Sequence, residues 1–193
     1  MTRAALVFAL DNECAHISRI AREPVMAQIR LAWWRDALKS ENLPPEHRTE
    51  MTQAIRALPD FTAIQRHLVA SIDGWEELIV DDGTDRQGML DRYARGRGGG
   101  LFGALSPNVA EASGKAGCLW ALWDLAGHAG DGALAEAAIE MAAGLDGNPR
   151  GLPPMLRMMA GVAAEDIGKR RGAPARLTPG LYFRLLRIQF FGR

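Results

Sequence analysis

Cysteine is scarce in this chain, and so are surplus charge, long apolar runs and strand patterns. Only Cys14 and Cys118 are present, both inside apolar helical patterns and not at metal-ligand spacing, so a disulfide framework is not expected and a reducing, cytoplasmic setting is. The 23 basic and 23 acidic side chains cancel, which leaves no cationic surplus for a phosphate backbone and excludes nucleic acid as a partner. No stretch reaches the roughly 18 uninterrupted apolar residues of a transmembrane helix, so any membrane association is expected to be peripheral. The opening run to Leu10 is too short for a signal peptide and passes directly into Asp11, Asn12 and Glu13 with no small-residue cleavage site.

What is present reads as helix. Apolar residues make up 48% of the 193 positions, enough for one domain over residues 1–193 with a single core. β-branched residues are thinly scattered, and alanine, leucine, methionine and arginine fill the periodic stretches. A first helix is predicted from Thr2 to Ile20, with Leu6, Leu10, Cys14 and Ile17 along one face. A second opens at Glu23–Pro24 and carries Val25, Met26, Ile29, Trp33 and Trp34 to Leu38. A short helix is predicted at Thr49 to Leu58. The clearest amphipathic pattern follows Pro59–Asp60, where Phe61, Ile64, Leu68, Ile72, Trp75 and Ile79 recur every three or four residues. Further helices are predicted from Arg86 to Tyr93 or beyond, Val109 to Ala126, Ala133 to Leu145 and Pro153 to Lys169. A break at Gly147-Asn148-Pro149 precedes the helix from Pro153, and a last helix, after a loop at Gly172 to Thr178, is capped by Thr178 and Pro179 and runs to Phe191. Between them, Gly96, Gly98, Gly99 and Gly100 signal either backbone freedom or close helix contact.

Residues 5–38, ALVFALDNECAHISRIAREPVMAQIRLAWWRDAL, resemble the bacterial squalene/phytoene synthase family, the double tryptophan after Arg30-Leu31 being the most specific feature. MLDRYARGRGGGLFGAL and WALWDLAGHAGD are similar to that family's tyrosine-bearing helix and its small-residue run, and TPGLYFRLLRIQFFGR to its close. The resemblance covers most of the chain. It implies an all-α, single-domain helical bundle of the isoprenoid synthase type, truncated relative to the family's enzymes. It also implies a prenyl diphosphate or lipid-like ligand. The family includes a mitochondrial complex I assembly factor with eroded acidic motifs, so a protein partner is implied as well.

Family enzymes expel diphosphate with Mg²⁺ bridged between carboxylates and phosphate oxygens, and two acidic clusters are needed for that. Carboxylates four apart share a helix face, yet the residue four beyond Asp11 is Ala15, and Glu13 lies on another face. Four beyond Asp124 stands His128; Asp131 lies further on, past Gly127 and Gly130. Both clamps are incomplete. The expectation is therefore a catalytically impaired protein with no cofactor, which binds a prenyl or lipid ligand or serves as an assembly scaffold. The rival is an active Mg²⁺-dependent prenyltransferase condensing farnesyl or geranylgeranyl diphosphate head to head. In that rival, Asp11, Glu13, Asp124 and Asp131 are the candidate metal ligands, Arg30 the diphosphate contact, and Trp34, Tyr93 and Gly99 the prenyl pocket.

Plainer readings stand beside these. Arg30 suits an ion pair at the core's edge, and Trp33 and Trp34, about 100° apart on a helix, suit packing. With Arg95 and Arg97 interrupting its small residues, the Tyr93–Gly99 stretch reads as a surface or phosphate-facing loop. Asp81, Asp82 and Asp85 spell D-D-x-x-D, but Gly83 and Thr84 make a solvated turn of it. His16, His47, His67 and His128 stand alone, with no partner at zinc spacing.

Overall fold

A helix buries one stripe of its surface and must find a partner for it, and here the longest stripe sets the frame. The structure, a computed structural model, describes residues 2–20, 23–108, 110–147, 151–174 and 179–191. Among these there are ten α-helices and no strand, an all-α single-domain bundle. Helix α4 (Phe61–Val80) lies at its centre, with Ile64, Leu68, Ile72 and Trp75 buried. Around it pack α1 (Arg3–Ile20), α2 (Pro24–Lys39), α5 (Arg86–Tyr93) and α6 (Gly100–Leu105). The short α3 (Glu50–Arg56) opens with a capping box in which Thr49 and Thr52 satisfy each other's backbone N–H groups. Helix α7 (Ala110–His128) joins this group to α8 (Gly132–Ala143) and α9 (Pro154–Ile167), and α10 (Pro179–Phe191) packs on α9. No helix among the described residues is long and apolar enough to cross a membrane.

One helix face is assigned here and one expectation is corrected. Helix α2 turns Val25, Met26 and Ile29 to solvent, and its core face is Ala27, Leu31, Trp34 and Leu38. The small Ala27 and Ala37, both fully buried, let α2 approach closely where bulkier side chains would hold it off. Nor is the glycine-rich segment a loop: α5 runs on through a π-helical turn (Ala94–Gly99) into α6. Val109, Asn148, Pro149 and Thr178, to which the sequence assigns a helix start, a break and a cap, lie outside the described residues.

The glycines act by removing bulk. A Cβ on Gly96 would overlap the backbone of Gly74 in α4, and one on Gly98 the carbonyl of Gly117 in α7. The π-turn is therefore wedged between α4 and α7 at backbone contact, and Arg97, between those two glycines, is drawn into the interior.

Candidate functional site

Asp11 shares a face of α1 with Val7 and Cys14, so the fold that buries those apolar residues buries a carboxylate too, leaving it 5% exposed. A buried charge needs a counter-charge and hydrogen bonds. Trp75 of α4 donates its indole N–H to Asp11 Oδ1 at 2.7 Å. Arg97 supplies the charge: its Nε donates to Oδ1 at 3.0 Å and its Nη2 to Oδ2 at 3.0 Å, a two-pronged pair. The other prong, Nη1, donates to Tyr93 Oη at 2.6 Å and to Asp124 Oδ2 of α7 at 2.7 Å. One guanidinium thus bridges two carboxylates from different helices. The indoles of Trp75 and Trp120 lie 4.2 and 4.8 Å from its central carbon at cation–π range.

Arg97 is 4% exposed, and burial works against its charge; the Tyr93 hydroxyl and the two carboxylates outweigh that and hold it firmly protonated. Burial likewise pushes Asp124 up, but His128 and Arg97 prevail and keep the carboxyl below the usual range. The His128 imidazole, 3.4 Å from Asp124 Oδ1, is raised by that hydrogen bond above its ordinary value. Tyr93 is fully enclosed, and its phenol is driven up by burial, so it stays neutral beside Arg97.

This cluster closes the buried end of a cavity of about 540 Å³, within the range of small-molecule sites. Phe8, Ala27, Leu78, Ile79 and Leu125 supply apolar wall, and the exposed Asn12 and Arg19 stand at the rim. Ile20, Val25, Met26 and Val80 are exposed on the same three helices, α1, α2 and α4, that form this side of the cavity.

Of the residues the sequence singles out, Asp11, Asp124 and Tyr93 converge here. Glu13, Arg30 and Trp34 meet elsewhere, in a shallow hollow with Ile17, Ile29 and Trp33. Trp34 packs edge-on to Trp33 with ring centroids 5.0 Å apart. Asp131 is exposed, caps α8 through the Ala133 N–H at 2.9 Å and pairs with Arg86 at 3.2 Å. Gly99 faces open space, and the close approaches belong to its neighbours Gly96, Gly98 and Gly100. The Asp81–Asp85 stretch is a turn whose carboxylates accept from Gly83, Thr84 and Gly88 backbone N–H groups. Sequence reasoning missed Arg97, Trp75 and Trp120 as site residues, and His128 as the partner of Asp124. The available signal was the spacing of Tyr93 and Arg97, four apart and therefore stacked if the helix continues.

The Mg²⁺ that the family resemblance implies does not fit this donor set. A hard divalent cation wants several free oxygens, whereas both oxygens of Asp11 and Oδ2 of Asp124 are taken by Arg97 and Trp75. The described residues contain no group of three His, Cys, Asp or Glu side chains that could hold a metal. The fold and site define a helical bundle whose cavity ends on an arginine-bridged carboxylate pair. No family model, curated protein or solved structure matches the chain.

Proposed function

We propose that this chain is a squalene/phytoene synthase-like protein that has lost metal-dependent prenyl transfer and uses its cavity to bind a prenyl or lipid-like molecule. The observation that carries this reading is the Arg97 bridge. Asp11 and Asp124 oppose each other at one cavity, as a pair of metal-holding walls would, but the cation between them is a guanidinium covalently part of the chain. An arginine there neutralises carboxylates without offering the open coordination positions that a leaving diphosphate needs. Incubation with farnesyl diphosphate and Mg²⁺ tests it. No diphosphate is expected to be released, and release that Asp11→Ala abolishes would establish the transferase reading instead.

An assembly role is the second reading, favoured by the apolar residues that α2 leaves exposed, Val25, Met26 and Ile29. The two separate by ligand response. A cavity binder gains thermal stability when farnesol or a similar prenyl compound is added, roughly 2.7 kcal/mol at a hundredfold excess over Kd, and a pure scaffold gains none.

A further inference from the structure

We infer that the cavity selects an uncharged apolar molecule with a neutral oxygen, an alcohol or a carbonyl, and discriminates against the diphosphate-headed form of the same chain. The inference rests on the ligand-binding reading above and specifies the head group.

The argument is electrostatic. At the buried end of the cavity two carboxylates face one guanidinium, so a formal negative charge is left over. His128, half-exposed at 49%, compensates only when protonated. A diphosphate brought to this end would add several negative charges to a region already in excess, and among the described residues no unpaired cation lies at this end to receive them. Arg19 at the rim is exposed and has no ion pair among the described residues, but a solvated arginine competes with water and salt for an anion. A neutral oxygen meets no such penalty. Among the described residues four of the five Arg97 N–H groups are engaged, two with Asp11, one with Tyr93 and one with Asp124, and because Arg97 lines the cavity a neutral acceptor there suits the fifth, on Nη2. The apolar wall of Phe8, Ala27, Leu78 and Ile79 then takes the chain.

Farnesol and farnesyl diphosphate differ only in the head group, and their binding to the whole protein can be compared in chelator-containing buffer, where divalent cations cannot mask the diphosphate. Quenching of Trp75 and Trp120 fluorescence or a thermal shift serves as readout. Farnesol is expected to bind at least tenfold more tightly. In Asp124→Asn, which removes the surplus charge and keeps the Arg97–Asp11 pair, the ratio is expected to shrink severalfold. Equal or tighter binding of the diphosphate would overturn the head-group inference while leaving a prenyl-binding cavity; if Arg19→Ala then abolished it, the anion would be sitting at the rim. Failure of both compounds to bind would overturn the cavity reading itself. An Asp124→Asn protein that folds with an unchanged ratio would also overturn the electrostatic account.

Discussion

A guanidinium enclosed by protein gives up most of its hydration, and the groups around Arg97 replace it with four hydrogen bonds and two indole faces. The cost of removing it is set less by those contacts than by what remains. Arg97→Met leaves Asp11, 5% exposed, and the part-buried Asp124 with no cation between them. Breaking such a pair from one side costs about 3–5 kcal/mol, which for a chain of this length lowers the melting temperature by roughly 6–20 °C. Arg97→Lys keeps the charge but offers a single ammonium where a planar fork spans two carboxylates, and an intermediate loss of about 2 kcal/mol is expected. Adding Asp11→Asn to Arg97→Met should recover part of the deficit, because it removes one of the stranded charges. Calorimetric unfolding of the three variants checks the order; a double variant less stable than Arg97→Met alone would show that repulsion is not the cause.

Within one element, two glycines next to each other in sequence carry opposite expectations. Gly98 backs onto the Gly117 carbonyl, so Gly98→Ala must push α7 away from the π-turn, at a cost of about 1–3 kcal/mol and with the Arg97–Asp124 bond stretched. Gly99 is helical with nothing near its missing Cβ, so Gly99→Ala should be neutral or stabilise by about 0.5–1 kcal/mol. Denaturant melts of the pair check this, and equal losses would contradict the wedge. The same segment marks the limit of what the sequence reveals. The α4 stripe of Ile64, Leu68, Ile72 and Trp75 was legible because each residue reports its own burial through its spacing. Glycine has no side chain to report with, and four glycines in the five residues 96–100 read locally as a break; only Gly74 and Gly117, remote in sequence, make it a continuous helix. Arg97 inherits that ambiguity, since an arginine in a loop is solvated and one in a wedged helix is not. On α2, Ala27 and Ala37 share the buried face with Leu31, Trp34 and Leu38 by allowing close approach, while the large Val25, Met26 and Ile29 lie exposed. Asp11 and Asp124 were singled out only because the family resemblance implies acidic clusters there, and neither that resemblance nor the spacing pointed to the residue that joins them.

Across the whole molecule, basic and acidic groups balance at 23 each, so bulk self-repulsion is small near neutrality and individual groups set the pH dependence of stability. Two histidines oppose each other. His128 binds its proton more tightly in the folded state because of Asp124, so its contribution is complete below the ordinary value of about 6.5 and is lost as pH rises through the higher folded value. His67 is lowered by burial and by neighbouring Arg66, so the stability associated with its neutral form is complete above about 6.5 and is lost as pH falls through the lower folded value. Both rings are partly open to water, and screening keeps each effect to a few tenths of a kcal/mol, up to about 1, or a few degrees in melting temperature. His128→Gln should therefore flatten the alkaline side of the melting profile, above the ordinary value of about 6.5, and His67→Gln the acid side below it. Melting temperatures across that range test both signs at once. A steeper alkaline fall in His128→Gln than in the parent would mean that the imidazolium does not help to balance the Asp11–Arg97–Asp124 cluster, and the charge excess assigned to the cavity would then stand uncompensated on both sides of the His128 titration.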